Sequence, residues 1–193
     1  MSGPMAISAV RPRAWALAWV CLGFAIPVHA SAVEAGQAVG GIVRRVLDGD
    51  TLIVHTPTRV RLRCRLVGID APELSHRRRE GGATPGQPYG PEAKRALEGL
   101  ALRRAVTAEV HGHDRYRRPL CVLWAGGRNL NLEMVREGHA WAERGNPVEV
   151  PPDLRWDLTL AEDEARRAWR GLWRDPSPEP PWAFRRRMRL AGR

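Results

Sequence analysis

Lysine is almost missing from this chain. Lys94 is the only one, yet lysine and arginine together number 31 in 193 residues. The basic residues are therefore arginines, whose planar guanidinium stays charged at any working pH and grips phosphate or carboxylate through a fork of donors. Cysteine is scarce too: Cys21, Cys64 and Cys121 are all there is. No two of them have thiolate-site spacing, which argues against a structural zinc centre. Internal repeats are absent, which excludes solenoids and propellers. The longest apolar run, Ala14 to Val28, has 15 residues and is short for a membrane span.

Acidic residues number 21, leaving the chain at net +10. Such an excess suits a polyanionic partner: nucleic acid, anionic lipid or acidic polysaccharide. Preference for arginine over lysine also follows from a GC-rich genome, so charge supports binding and does not by itself indicate catalysis. The N-terminus has the parts of an export signal. Arg11 and Arg13 precede the apolar run, and Val28-His29-Ala30 puts small residues at the −3 and −1 positions of a cleavage site. The expected organisation is a signal peptide at 1–30, a loose mature N-terminus at 31–39, one folded domain at 40–175, and a Pro-rich, basic tail at 176–193 that reads as extended and solvated. Export implies a periplasmic or secreted protein; an uncleaved N-terminal anchor is the alternative. An oxidising compartment permits a Cys64–Cys121 bridge, and two buried thiols fit the sequence equally well.

Hydrophobic periodicity gives the order of elements. Ile42, Val43 and Val46 lead into Asp48-Gly49, a hairpin signal in which Gly is expected to take positive φ; Leu52 and Val54 follow. From 59 to 66 the chain alternates strictly, with Val60, Leu62, Cys64 and Leu66 on one face and Arg59, Arg61, Arg63 and Arg65 on the other. Residues 75–90 read as a long loop, and Pro91 opens a helix to about Ala101. Strands follow around Val106–Val110 and Leu120–Trp124. Asn131 is expected to cap one helix and Asp153 another, the latter stopped by Gly171. Three strands, a helix, two strands and two helices make an α+β chain: a five-stranded OB-fold-like β-barrel with three helices.

Two acidic turns flank the arginine strand: Asp48-Gly49-Asp50-Thr51 and Gly68-Ile69-Asp70-Ala71-Pro72-Glu73. Carboxylates suit a hard cation and guanidinium groups suit phosphate. Both within so short a stretch imply a site where metal and arginine hold one phosphodiester. Singly, each residue has a plainer role: Asp-Gly as a turn former, Glu73 as a surface acid, any arginine as a solvated charge.

These motifs, with Tyr89-Gly90-Pro91-Glu92-Ala93, Asp114-Arg115-Tyr116-Arg117-Arg118 and Arg170-Gly171-Leu172-Trp173, resemble the staphylococcal nuclease family in order and approximate spacing over roughly residues 40–175. The resemblance implies an OB-fold enzyme that hydrolyses DNA and RNA with Ca²⁺. It assigns Asp50, Asp70 and the backbone carbonyl of Ala71 to the cation, Arg65 and Arg118 to the phosphate, and Glu73 to the attacking water. Tyr116 is expected at the nucleotide site, and Arg117 stands where the family usually has Gly, as a possible phosphate contact. Around Glu143 the family's nucleotide-site aromatic is replaced by Ala142-Glu143-Arg144. The expected protein is a monomer with no protein partner. A non-catalytic OB-fold nucleic-acid binder and a basic module for anionic surfaces are the competing readings.

Overall fold

The computed structural model describes residues 35–77, 81–143 and 150–191. The expected signal peptide, Arg78, Arg79 and Arg144 lie outside the described residues.

The strands are β1 (Ala38–Val46), β2 (Thr51–His55), β3 (Arg61–Leu66), β4 (Ile69–Asp70), β5 (His76–Arg77), β6 (Ala83–Thr84), β7 (Ala105–His113), β8 (Pro119–Ala125), β9 (Arg128–Asn129) and β10 (Trp141–Ala142). The helices are α1 (Gly90–Ala101), α2 (Leu130–Arg136), α3 (Pro152–Arg167) and α4 (Pro181–Ala191), with a 3₁₀ turn at Gly171–Arg174. The main sheet runs β3-β2-β1-β7-β8-β9, and β3 also pairs with β8. That last pairing is parallel, Arg65 opposite Leu120 and Leu66 opposite Cys121, and it closes five strands into a barrel. The barrel matches the expected α+β class; the helices among the described residues are four rather than three.

Alternation determines which side chains fill the barrel. In β3, Leu62, Cys64 and Leu66 are buried, Arg61 and Arg63 are exposed, and Arg65 is half-buried. Every residue of β2 except His55 is buried. Val43, Leu52, Val54, Leu66, Ala108, Val110 and Leu123 form the centre, with Leu97 and Met134 closing over it from α1 and α2. Cys64 and Cys121 are both buried and unbridged. The Cys121 thiol is pushed far above its ordinary range by its hydrogen bond with Cys64 and by burial.

Four sequence expectations are revised. β1 begins at Ala38, inside the segment expected to be loose, because its first residues pair with β7 from Ala38 opposite Glu109 onward. Gly49 has no positive φ. Its role is close approach: a Cβ there would lie 2.6 Å from the Ala71 Cβ and 2.8 Å from the Ala93 Cβ. Asn129, not Asn131, caps α2, accepting from the Leu132 amide at 3.1 Å. Pro151 occupies the start of α3 in place of Asp153. Asn131 is instead fully buried. It accepts from the Leu123 amide at 3.0 Å and donates to the Val67 carbonyl at 2.8 Å and the Cys121 carbonyl at 3.0 Å. One side chain thus ties α2 to β8 and to the β3–β4 turn.

The tail differs most. Instead of extending into solvent, 181–191 forms α4. Pro181 and Phe184 are buried, and Trp182 meets Trp141 edge-on with centroids 5.6 Å apart. Trp141 also packs against Trp173 at 4.3 Å. The arginine density of this segment suggested solvation; two aromatic anchors and Pro at the first helical turn made it a docked helix instead.

Candidate active site

The site lies at the end of the barrel where β2 begins, β3 ends and β8 begins. A cleft of about 490 Å³ is lined there by Asp48, Asp50, Arg65, Glu73, Tyr116 and Arg118 among others. Each functional side chain is delivered by a different constraint.

Asp50 sits in the β1–β2 turn and is only 5% exposed. Its amide donates to the Asp48 carboxylate at 3.1 Å, which makes Asp48 the organiser of the turn. The Asp50 carboxylate accepts from the Thr51 hydroxyl at 2.9 Å and from the Ala71 amide at 2.9 Å. That second bond spans 21 residues and locks the first acidic turn onto the second. Asp70, 1% exposed, is held by the pairing of β4 with β10, opposite Trp141. Glu73 is fixed through its backbone, whose amide donates to Gln87 Oε1 at 3.1 Å.

Arg65 faces outward from β3, and outward here means into the cleft. Its Nη1 pairs with Asp50 and its Nη2 donates to Asp70 Oδ1 at 3.1 Å. Two carboxylates from separate turns therefore converge on one guanidinium. Arg118 comes from the loop between β7 and β8, where its Nε donates to Asp114 Oδ2 at 2.6 Å. Tyr116, 66% exposed, lies against the guanidinium groups of Arg115 and Arg118, 4.8 Å and 5.6 Å from its ring centre.

Asp50, Arg65, Ala71, Glu73, Tyr116 and Arg118 line the cleft, and Asp70, not itself part of the lining, is joined to it through Arg65. Arg117 is exposed, has a φ of 60° and is not among the residues lining the cleft. Its left-handed backbone is the conformation Gly adopts most easily. Glu143 lines the cleft, and its amide donates to the Gly68 carbonyl at 2.8 Å.

Four cleft residues carried no catalytic assignment from sequence. Asp48 lies deep in the turn, where burial pushes its carboxyl above the ordinary range against the pull of Arg65 and Thr51. Asp114 organises the Arg118 loop, and an Asp four residues before the arginine was the available signal. His113 lines the rim. Arg185 arrives from α4: its Nη2 donates to Asp70 Oδ2 at 2.7 Å, and its Nη1 donates to Asp70 Oδ1 at 3.0 Å and Glu73 Oε1 at 2.7 Å. No local pattern could place a residue 115 positions away on Asp70.

Among the described residues no group of three or more His, Cys, Asp or Glu side chains is set to hold a metal ion. The donors present fit a hard cation of low protein-ligand demand. Two nearly buried carboxylates share one cationic partner, and the backbone of Ala71 is joined to one of them. Ca²⁺ takes such oxygen donors in irregular geometry and completes its shell with water or substrate.

Nearly buried carboxylates paired with guanidinium groups beside a cleft at the end of an OB-like barrel fit a phosphodiester-hydrolase class of site. A family model described as staphylococcal nuclease homologue matches residues 63–175. The chain belongs to the staphylococcal nuclease family. It is 38% identical over 170 residues to a micrococcal nuclease of Shigella flexneri, covering 82% of this chain and 87% of that protein. It is 40% identical over 151 residues to an uncharacterized endonuclease of Escherichia coli O157:H7, covering 77% and 86%. To protein ParB of Escherichia coli it is 35% identical over 189 residues, covering 92% and 95%.

Proposed function

We propose that the cleft hydrolyses phosphodiester bonds of DNA and RNA with little sequence preference, using Ca²⁺ held by Asp50, Asp70 and the Ala71 carbonyl. The observation that carries this reading is the convergence of Asp50 and Asp70 on the single guanidinium of Arg65, with Arg118 lining the same cleft. Bound there, the cation would supply positive charge to a phosphate oxygen and polarise a water molecule.

The chain's own residues do the rest. A cation held by Asp50 and Asp70 would take over their pairing with Arg65, whose guanidinium would then face the phosphate, as Arg118 does from the β7–β8 loop. Negative charge gathers on the non-bridging oxygens in the pentavalent transition state, so these donors bind it more strongly than the ground state. Glu73 accepts a proton from the attacking water or orients it. Tyr116 offers an exposed ring to the nucleotide. Contacts of this kind read phosphate rather than sequence. Single-stranded or frayed substrate reaches the cleft most easily. The protein acts as a monomer on nucleic acid. The leader features of residues 11–30 support a periplasmic or secreted enzyme, and N-terminal sequencing of the exported protein should begin at Ser31.

The decisive test is digestion of denatured DNA by the purified protein with Ca²⁺ and with chelator. Cleavage is expected with Ca²⁺ and almost none with chelator. Undiminished cleavage in chelator overturns the metal assignment, and tight binding without cleavage in Ca²⁺ favours a non-catalytic nucleic-acid binder.

A further inference from the structure

The helix that closes the described chain sets a second guanidinium on the carboxylates of the cleft. We propose that Arg185 is a positioning residue: a tethered cation that holds Asp70 and Glu73 in place and competes with a divalent ion for Asp70. This rests on the Ca²⁺ site proposed above.

The grip itself is the first support. Arg185 takes both oxygens of Asp70, at 3.0 and 2.7 Å, and bridges to Glu73 at 2.7 Å. A bidentate guanidinium occupies the face of the carboxylate that a metal ion would use. Asp70 is almost fully buried, so solvent cannot easily replace the lost partner.

The second support is how α4 is docked. Trp182 packs on Trp141, whose strand pairs with Asp70. Gln87 accepts from the Glu73 amide and donates from Nε2 to the Glu179 carbonyl at 2.8 Å. Glu179 in turn binds Arg187 at 2.7 Å. The C-terminal segment therefore grips the backbone surroundings of both carboxylates that Arg185 holds. Among the arginines of α4, only Arg185 lines the cleft; Arg186, Arg187 and Arg189 are exposed. The helix lies outside residues 63–175, the span matched by the family model.

The charge balance gives the direction of the effect. Asp50, Asp70 and Glu73 face Arg65 and Arg185. Removing Arg185 leaves one more negative charge for an incoming dication and frees both Asp70 oxygens. Ca²⁺ binding and the Arg185 contact are thus linked, each weakening the other.

Calorimetric titration of Ca²⁺ into the full chain tests this, with Arg185→Ala, Arg185→Gln, Arg185→Lys, Arg186→Ala and Asp50→Asn alongside. Arg185→Ala and Arg185→Gln should bind Ca²⁺ about tenfold tighter than wild type, a coupling of ordinary size. Arg185→Lys should fall between, and Arg186→Ala should match wild type. Melting in the absence of Ca²⁺ should drop in Arg185→Gln and recover when Ca²⁺ is added. Unchanged or weaker Ca²⁺ binding in Arg185→Gln, which keeps part of the apolar stem, overturns the proposal while the metal site stands. If Asp50→Asn binds Ca²⁺ as wild type does, the metal site fails and this inference fails with it.

Discussion

Asp114 holds Arg118 by both ends. One carboxylate oxygen accepts from the guanidinium Nε at 2.6 Å, and the other accepts from the Arg118 amide at 2.9 Å. The second oxygen also takes the Tyr116 amide at 2.9 Å. The loop between β7 and β8 is therefore folded around one carboxylate, with Arg117 forced to positive φ between the two bonds. Asp114→Ala should leave the barrel intact and misdirect Arg118. A shift of about 1 Å in such a group costs on the order of 10²-fold in rate. The expected outcome is a fall in kcat larger than any rise in KM, with unchanged Ca²⁺ affinity. An unaltered kcat would show that Arg118 finds its place without Asp114.

The same contact sets an acid limit. Burial pushes the Asp114 carboxyl up, but the hydrogen bonds from the Arg118 backbone and guanidinium and from the Tyr116 amide outweigh it and hold it below its ordinary 3.8. A carboxyl depressed in the folded state stabilises the fold fully above its unfolded value and loses that contribution as pH falls through its folded value. Wild type should therefore exceed Asp114→Asn in melting temperature by a constant margin near neutrality. The margin should shrink below about pH 3.8 and vanish at lower pH. Melting both proteins across pH 2.5–7 measures it. A margin that grows on acidification contradicts the assignment.

In the proposed mechanism Arg65 joins stability to catalysis, because it neutralises Asp50 and Asp70 while facing the cleft. Arg65→Ala removes one transition-state donor, a loss of roughly 10²–10³-fold in kcat by comparison with an oxyanion donor. It also takes from the nearly buried Asp50 its guanidinium partner, while Asp70 keeps Arg185; breaking such a buried pair costs about 3–5 kcal/mol. Ca²⁺ should offset part of that cost, so the melting temperature of Arg65→Ala should rise more on Ca²⁺ addition than that of wild type. Glu73→Gln should lose most activity with little change in melting. Full activity in both variants rejects the site.

Period-two alternation was enough to put Arg65 on the outer face of β3, and Pro91 was enough to open α1. Those features are local. What the sequence hid is long-range. Asn131 sits two residues past the true cap and looks like a cap itself; only its buried partners on β8 and the β3–β4 turn show that it braces the barrel. The aspartates of the two turns were legible as a pair, while the bond from the Ala71 amide that joins them was not. Arg185 was one arginine in a run of them, and its meaning depends on carboxylates 112 and 115 residues away. Trp182 and Phe184 were the signal for a docked helix, outvoted by the charge around them.

Gly49 gives the strictest test of the two-turn arrangement. Its backbone takes no positive φ, so an alanine there meets no conformational penalty of that kind. The obstacle is steric: the new Cβ would lie 2.6 Å from the Cβ of Ala71 and 2.8 Å from that of Ala93. Both neighbours are Cβ atoms fixed to backbone, so neither can rotate away. Gly49→Ala must instead push the Asp48–Asp50 turn off the Ala71 segment and stretch the 2.9 Å bond between Asp50 and the Ala71 amide. Overpacking of this kind costs about 1–3 kcal/mol. Melting temperature and Ca²⁺ affinity should fall together, because the same displacement separates Asp50 from Asp70. Ala71→Gly removes the nearer clash, so the double variant should recover part of both losses. Recovery of stability without recovery of Ca²⁺ affinity would mean that the two turns touch for structural reasons and do not share a cation.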